Sequence, residues 1–97
     1  MTTLHIEHDI SDFTAWKASF ERYSFLRKEH RVRSYEVHQP IDNPSHVMIR
    51  LELDSVEDAS ALVARLREIW ASREATPALR SEPRVSIMER KASETLG

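Results

Sequence analysis

The chain of 97 residues contains no cysteine, and its only glycine is Gly97, the last residue. Without thiols it forms no disulfide bond, thiolate zinc site, iron–sulfur cluster or cysteine nucleophile. Without an internal glycine it lacks the glycine-rich loops that cradle phosphate groups in P-loop and dinucleotide-binding proteins. The single asparagine, Asn43, is followed by Pro44, and proline at this position blocks N-glycosylation. Several common classes of redox and nucleotide chemistry are therefore excluded.

The chain also lacks long apolar runs and blocks of like charge. Its 14 basic and 16 acidic residues are mixed along the sequence and give a net charge of −2. This pattern favours neither a membrane span nor a nucleic-acid-binding arm. The start, MTTLHIEHD, does not have the order of a signal peptide. We therefore expect a cytoplasmic protein with no cofactor, no membrane partner and no nucleic-acid partner.

The length and the 40% hydrophobic content predict one globular domain over residues 1–97. We expect an ordered core over about 3–90 and a loose tail over 91–97. Four segments alternate between apolar and polar residues, as strands with one buried face do. They are 3–9, 32–38, 46–54 and 83–90.

Two segments have helical spacing. The first runs to about Glu29, carries an aromatic stripe and begins at a cap supplied by Ser11 or Asp12. The stripe consists of Phe13, Trp16, Phe20 and Tyr23. The second begins after Ser55 as a cap and ends near Trp70. A further short turn is expected at Thr76 and Pro77, because proline is favoured at a first helical position.

The order β-α-β-β-α-β predicts an α+β, ferredoxin-like fold. Right-handed crossovers put both helices on one face of a four-stranded antiparallel sheet of order 4-1-3-2. The aromatic stripe is expected to pack on the apolar side of that sheet. That side contains Leu4, Ile6, Tyr35, Val37, Val47, Ile49, Leu51, Val85 and Ile87.

The opposite face of the predicted sheet mixes acids, bases, imidazoles and thioethers. Alternation places on it His5, Glu7, Ser34, Glu36, His38, Met48, Arg50, Glu52, Ser86, Met88 and Arg90. The hairpin is expected to set Ser34 opposite Arg50 and Glu36 opposite Met48. Three further histidines, His8, His30 and His46, lie at element ends and are interpreted as surface residues.

Strand one followed by DFTAWKASF, and the turn IDNPSHVMI, resemble the dimeric α+β barrel superfamily, and within it the small proteins similar to antibiotic-biosynthesis monooxygenases. The resemblance covers about residues 3–90. It implies a homodimer whose two sheets pack face to face, with a small ligand cavity in each half. Trp70 matches a tryptophan that the family uses near the end of its second helix. The family's asparagine and haem-ligating histidine have no counterpart, while Arg80 or Arg84 could replace its arginine.

Three interpretations of the polar face remain open. A histidine–carboxylate pair, His5 with Glu52 or His38 with Glu36, could transfer protons near neutral pH. The same residues could instead form a charged dimer interface without chemistry. A metal site at His5, Glu7 and His38 is disfavoured. His5 and Glu7 lie on the first strand and His38 on the second, and the third strand lies between them.

Trp16 and Trp70 are either core residues or the walls of a pocket for an aromatic ligand. The leading prediction is a cofactor-independent enzyme of the monooxygenase or isomerase type. Its substrate would be a small metabolite, which could be aromatic. The alternative is a non-catalytic dimeric ligand-binding or assembly module.

In the enzyme reading, Arg50 holds an anionic or carbonyl oxygen and a histidine moves a proton. Carboxylates orient the imidazole, and the remaining residues contact the ligand. The catalytic candidates are His5, His38 and Arg50, and the substrate-binding candidates are Glu7, Glu36, Glu52, Trp70 and Met48.

Overall fold

The computed structural model describes residues 1–72 and 81–97. Its elements are β1 (Thr2–Asp9), α1 (Phe13–Arg22), α2 (Ser24–Glu29), β2 (Ser34–His38), β3 (His46–Leu53), α3 (Val56–Trp70) and β4 (Arg84–Glu89). The turn expected at Thr76 and Pro77, and the position of Arg80, lie outside the described residues. Across the two described ranges, no helix is long and apolar enough to cross a membrane.

The four strands form one antiparallel sheet of order β2-β3-β1-β4, which is the predicted order read from the other edge. The predicted fold is therefore confirmed. At the sheet centre, Ile6 of β1 pairs with Ile49 of β3 on one side and with Val85 of β4 on the other. Alternation along each strand sends the apolar side chains to the face that the helices cover.

The buried core lies between that face and the helices. Its residues are Leu4, Ile6, Ile10, Trp16, Leu26, Val47, Ile49, Leu51, Leu53, Ala59, Leu62, Val63 and Ile69. Tyr35 and Ile87 are expected in this core but are not buried, since they are 41% and 38% exposed. Each belongs to an edge strand, where a side chain has a neighbouring strand on one side only.

The first helical segment is not one helix, as predicted, but two. It breaks at Tyr23, whose backbone angles are −100° and 21°. The N–H of Tyr23 donates to the carbonyl of Phe20, and a guanidinium nitrogen of Arg27 donates to the same oxygen at 3.0 Å. A side chain thus supplies the hydrogen bond that a continuous helix would supply from its backbone.

Side chains cap both long helices as expected. Asp12 is the cap of α1, and its carboxylate accepts a hydrogen bond from the N–H of Ala15 at 3.1 Å. Ser55 caps α3 in the same way, through the N–H of Asp58. Asp12 thereby fixes the start of the helix that carries the aromatic stripe.

The β2–β3 hairpin pairs two residues away from the predicted register. Ser34 lies opposite Glu52, and Glu36 lies opposite Arg50. The connecting loop sets this register, because the side-chain amide of Gln39 donates to the carbonyl oxygens of Pro44 and His46. The correction keeps every side chain on its expected face, since a shift of two residues preserves alternation.

Candidate functional site

A cavity of about 90 Å³ lies between the helices and the sheet. Most of its lining is aliphatic or aromatic, and it draws on two strands and all three helices. It is lined by Ile6, His8, Trp16, Ser19, Phe20, Tyr23, Leu26, Arg27, Ile49, Leu51, Leu62, Leu66, Ile69 and Trp70. Apolar walls with a few polar groups are typical of a small-molecule site, but this volume is below the roughly 300–1,000 Å³ of such sites. A two-ring ligand would therefore extend through the open side of the cavity into solvent.

Aromatic rings form one wall of this cavity. The ring of Trp16 stacks on that of Phe20, with centroids 4.9 Å apart and planes inclined by 23°. Helical spacing brings the two rings together, because residues four apart in α1 lie on one face. Trp70, at the end of α3, also lines the cavity. Flat ring faces at these positions suit a planar, apolar ligand.

His8 is the histidine of the cavity, and its interpretation as a surface residue is wrong. It is 4% exposed, because alternation along β1 turns it to the helix side with Leu4 and Ile6. Burial lowers the pKa of His8, because the charged imidazolium loses its hydration.

The hydrogen bond of His8 fixes its tautomer. Its Nδ1 lies 3.1 Å from the carbonyl oxygen of Asp9, so Nδ1 carries the proton. The second nitrogen, Nε2, is then an acceptor that no described residue engages. The side chain therefore places a neutral base at the cavity wall.

Arg27 is the cationic residue of the cavity lining. Its guanidinium carbon lies 3.9 Å from the centroid of the Phe20 ring and 5.0 Å from that of Tyr35. The side chain is 13% exposed. The break at Tyr23 starts α2 in a new direction, and Arg27 reaches back from it over Phe20.

The predicted site residues other than Trp70 lie on the face of the sheet that no helix covers, here named the open face. His5 pairs in register with Arg50, which also lies opposite Glu36 on the next strand. His38 contacts Glu36 at 3.0 Å, with both side chains well exposed. This is one of the two histidine–carboxylate pairs that the sequence suggested.

The second suggested pair, His5 with Glu52, is not formed. Glu52 accepts hydrogen bonds from the hydroxyl of Thr3 at 2.8 and 3.0 Å and lies 3.7 Å from Arg90. His5 instead lies 3.8 Å from Glu7. Thr3 and Glu52 are cross-strand partners of β1 and β3, whereas His5 and Glu7 lie two residues apart on β1 and therefore share a face.

His46 is the most highly connected histidine of the open face, where its side chain is 15% exposed. Its Nε2 contacts Glu7 at 3.0 Å and its Nδ1 contacts Asp9 at 2.9 Å. Both hydrogen bonds raise the pKa of His46, and the bond to Asp9 has the larger effect. The bond from His46 is also the main reason that the pKa of Glu7 is lowered.

Among the eight candidates, Trp70 alone lines the cavity. The structure gathers His5, Glu7, Glu36, His38, Met48, Arg50 and Glu52 on the open face, across three neighbouring strands. Sequence reasoning missed His8, Arg27 and His46. Alternation could have found both histidines, since His8 continues the series of Leu4 and Ile6, and His46 that of Met48 and Arg50.

Within residues 1–72 and 81–97, no group of three or more histidines and carboxylates is arranged to hold a metal ion. His5 and Glu7 lie together on β1, while His38 pairs with Glu36 at the sheet edge.

Comparison with known proteins identifies the fold. No protein-family model and no curated protein sequence matches the chain. A monooxygenase of Streptomyces coelicolor in complex with nanaomycin D is similar, with a TM-score of 0.72, 12% identity and coverage of 99% of this chain and 92% of that one. A protein of Bordetella bronchiseptica described as an antibiotic biosynthesis monooxygenase has a TM-score of 0.65, with 15% identity over 94% and 98% of the two chains.

A third similar structure is a dimeric ferredoxin-like protein from an uncultured marine organism. Its TM-score is 0.63, with 11% identity over 96% of this chain and 97% of that one. At identities this low the likeness establishes the fold. That fold is ferredoxin-like, and two of the three similar structures are described as monooxygenases.

Proposed function

We propose that the chain is a small cytoplasmic enzyme of the monooxygenase or isomerase type that removes a proton from an aromatic metabolite. The observation that carries this proposal is His8, a buried neutral imidazole at the wall of an aromatic cavity. The likeness to a monooxygenase whose structure contains nanaomycin D supports the same ligand class. No cofactor is included, because the substrate can supply the electrons itself.

The mechanism begins with proton transfer to Nε2 of His8 from an acidic C–H or O–H group of the ligand. The lowered pKa keeps this imidazole neutral near pH 7, so it is ready to accept the proton. Return of the proton to another ligand atom completes an isomerisation. Alternatively, a CH₂ group and O₂ give a carbonyl and water, with all four electrons taken from the substrate.

The test uses 2-tetralone, a two-ring ketone with an acidic CH₂ group, in deuterated buffer. NMR follows the loss of its CH₂ protons with wild type, His8→Gln and His30→Gln. His30 ends α2 and does not line the cavity, so it is the matched control. We expect wild type and the control to accelerate exchange equally and His8→Gln to be at least tenfold slower, since a general base contributes about 10²-fold or more. Equal rates in wild type and His8→Gln would contradict the proposal.

The residues of the open face give a second location for the same chemistry. There His5 or His38 would move the proton, with Glu7, Glu36 or Glu52 orienting the imidazole and Arg50 holding a ligand oxygen. Met48 would contact the ligand there, whereas Trp70 lines the cavity on the other side of the sheet and would take no part. His5→Gln and His38→Gln in the exchange assay separate the two locations, because only variants at the working site slow the reaction.

We further propose that the chain forms a homodimer by packing two open faces together. Support comes from the dimeric ferredoxin-like neighbour. The face also carries both signs of charge, as a self-complementary interface requires.

The dimer is tested by solution mass at micromolar concentration. We expect twice the chain mass for wild type and for Arg65→Glu, whose side chain pairs with Glu68 on α3. Arg50→Glu should shift the protein toward the monomer, because it places a third acid beside Glu36 and Glu52 on the open face. A monomeric wild type would contradict the proposal.

The second candidate function is a non-catalytic ligand-binding dimer. It is favoured by the fact that His8 and Arg27 already bond the backbone carbonyls of Asp9 and Phe20, as structural side chains do. In that case 2-tetralone would bind without any acceleration of exchange.

A further inference from the structure

We infer that the cavity takes an aromatic molecule with an acidic substituent, such as a carboxylate, and that Arg27 binds that charged group. The inference rests on the proposed function and names its substrate class. It begins with the surroundings of the Arg27 guanidinium.

The hydrogen-bond acceptor and the two rings beside this largely buried cation are neutral, and among the described residues its charged neighbour is Glu21, at 3.9 Å. One nitrogen donates to the carbonyl oxygen of Phe20 at 3.0 Å, and the plane lies over the rings of Phe20 and Tyr35. Ring faces attract a guanidinium through their quadrupoles, but they do not neutralise its charge. The side chain has five N–H donors, and the described residues engage one of them at hydrogen-bonding distance.

Among the described residues, the nearest carboxylate belongs to Glu21 and is not part of the cavity lining. It is 3.9 Å from Arg27, is 49% exposed and is also paired with Lys17. None of the described residues that line the cavity is an aspartate or a glutamate. A cation that is 13% exposed and has no buried counter-charge among the described residues is unusual, because burying charge is costly unless the charge is paired.

An aromatic carboxylate would complete this arrangement. Its rings would pack among Trp16, Phe20 and Trp70, while its two oxygens would accept bonds from the planar guanidinium. Charge-assisted bonds of this kind are stronger in a desolvated cavity than in water. The ligand would therefore bring the anion that none of the described lining residues supplies.

The test compares 2-naphthoate with 2-naphthamide, which share size and shape but differ in charge. Isothermal titration calorimetry at pH 7.5 measures both dissociation constants for wild type, Arg27→Gln, Arg27→Lys and Arg65→Gln. We expect wild type and Arg65→Gln to bind naphthoate at least tenfold more tightly than naphthamide. Arg27→Gln should weaken naphthoate at least tenfold and naphthamide less than twofold, while Arg27→Lys keeps part of the preference.

The outcomes separate this inference from the proposed function. Equal affinities in wild type, or a preference that Arg27→Gln leaves intact, would overturn the role of Arg27 while exchange of 2-tetralone still supports the enzyme. No binding of either compound would overturn the inference together with the ligand cavity. The comparison of naphthoate with naphthamide in wild type needs no variant. It therefore tests the inference even if Arg27→Gln fails to fold.

Discussion

Nε2 of His46 lies 3.0 Å from Oε2 of Glu7, joining two neighbouring strands on the open face. The hydrogen bond to Asp9, together with this one to Glu7, raises the pKa of His46, so the two bonds stabilise the fold below the ordinary histidine pKa of about 6.5. That stabilisation is lost as pH rises through the higher pKa of the folded state. We expect the free energy of unfolding, measured with urea at fixed protein concentration, to fall over this alkaline range. His46→Gln should remove the fall and His30→Gln should retain it; an unchanged slope in His46→Gln would contradict the account.

His8 predicts the opposite pH dependence. Its pKa is lowered by burial, so the unfolded chain binds a proton at this position more readily than the folded chain. Stability should fall as pH drops below about 6.5, the ordinary histidine value, toward the lower pKa of the folded state. The same urea series should show a flatter acid limb for His8→Gln than for His30→Gln. A His8→Gln acid limb as steep as that of wild type would show that His8 is not buried as described.

Leu62 and Leu53 form a matched pair that separates stability from ligand fit. Both are fully buried, but only Leu62 lines the cavity. Leu62→Ala and Leu53→Ala should each cost about 2–5 kcal/mol of unfolding free energy in urea titrations. Only Leu62→Ala enlarges the cavity, so it alone should improve the affinity for three-ring relative to two-ring aromatic ligands in calorimetry. The same improvement in Leu53→Ala would place the ligand elsewhere.

Asp12 connects helix capping with the position of the aromatic wall. Replacing it with alanine removes the bond to the N–H of Ala15 and should cost about 1 kcal/mol. Asp12→Asn keeps a capping oxygen and should cost less. Thermal unfolding followed by circular dichroism compares the two variants, and an equal loss in both would argue against the cap.

The strands and their order were predictable because alternation is strong in them. Val47, Ile49 and Leu51 alternate with polar neighbours, and this period of two survives any local change in the loops. The same rule placed the open-face residues correctly on one side. The alternation also extends to the strand ends, where it includes His8 and His46, which are functional candidates.

The helix break and the hairpin register could not be predicted in the same way. No glycine or proline marks Tyr23, and the break is stabilised by Arg27, four residues later, through the carbonyl of Phe20. The register depends on bonds made by the side chain of Gln39 to two loop carbonyls. Both features arise from side-chain contacts that periodicity does not encode, and the placement of Arg27 in the cavity follows from the first.

The most direct test determines where on the protein a neutral aromatic ligand binds. Two-dimensional NMR spectra recorded during titration with 2-tetralone report the indole N–H groups of Trp16 and Trp70 separately from the imidazoles of His5 and His38. We expect saturable shifts at both indoles and contacts from the ligand to the methyl groups of Leu62. Shifts confined to the imidazoles of the open face, with both indoles unchanged, would contradict the proposed site between helices and sheet.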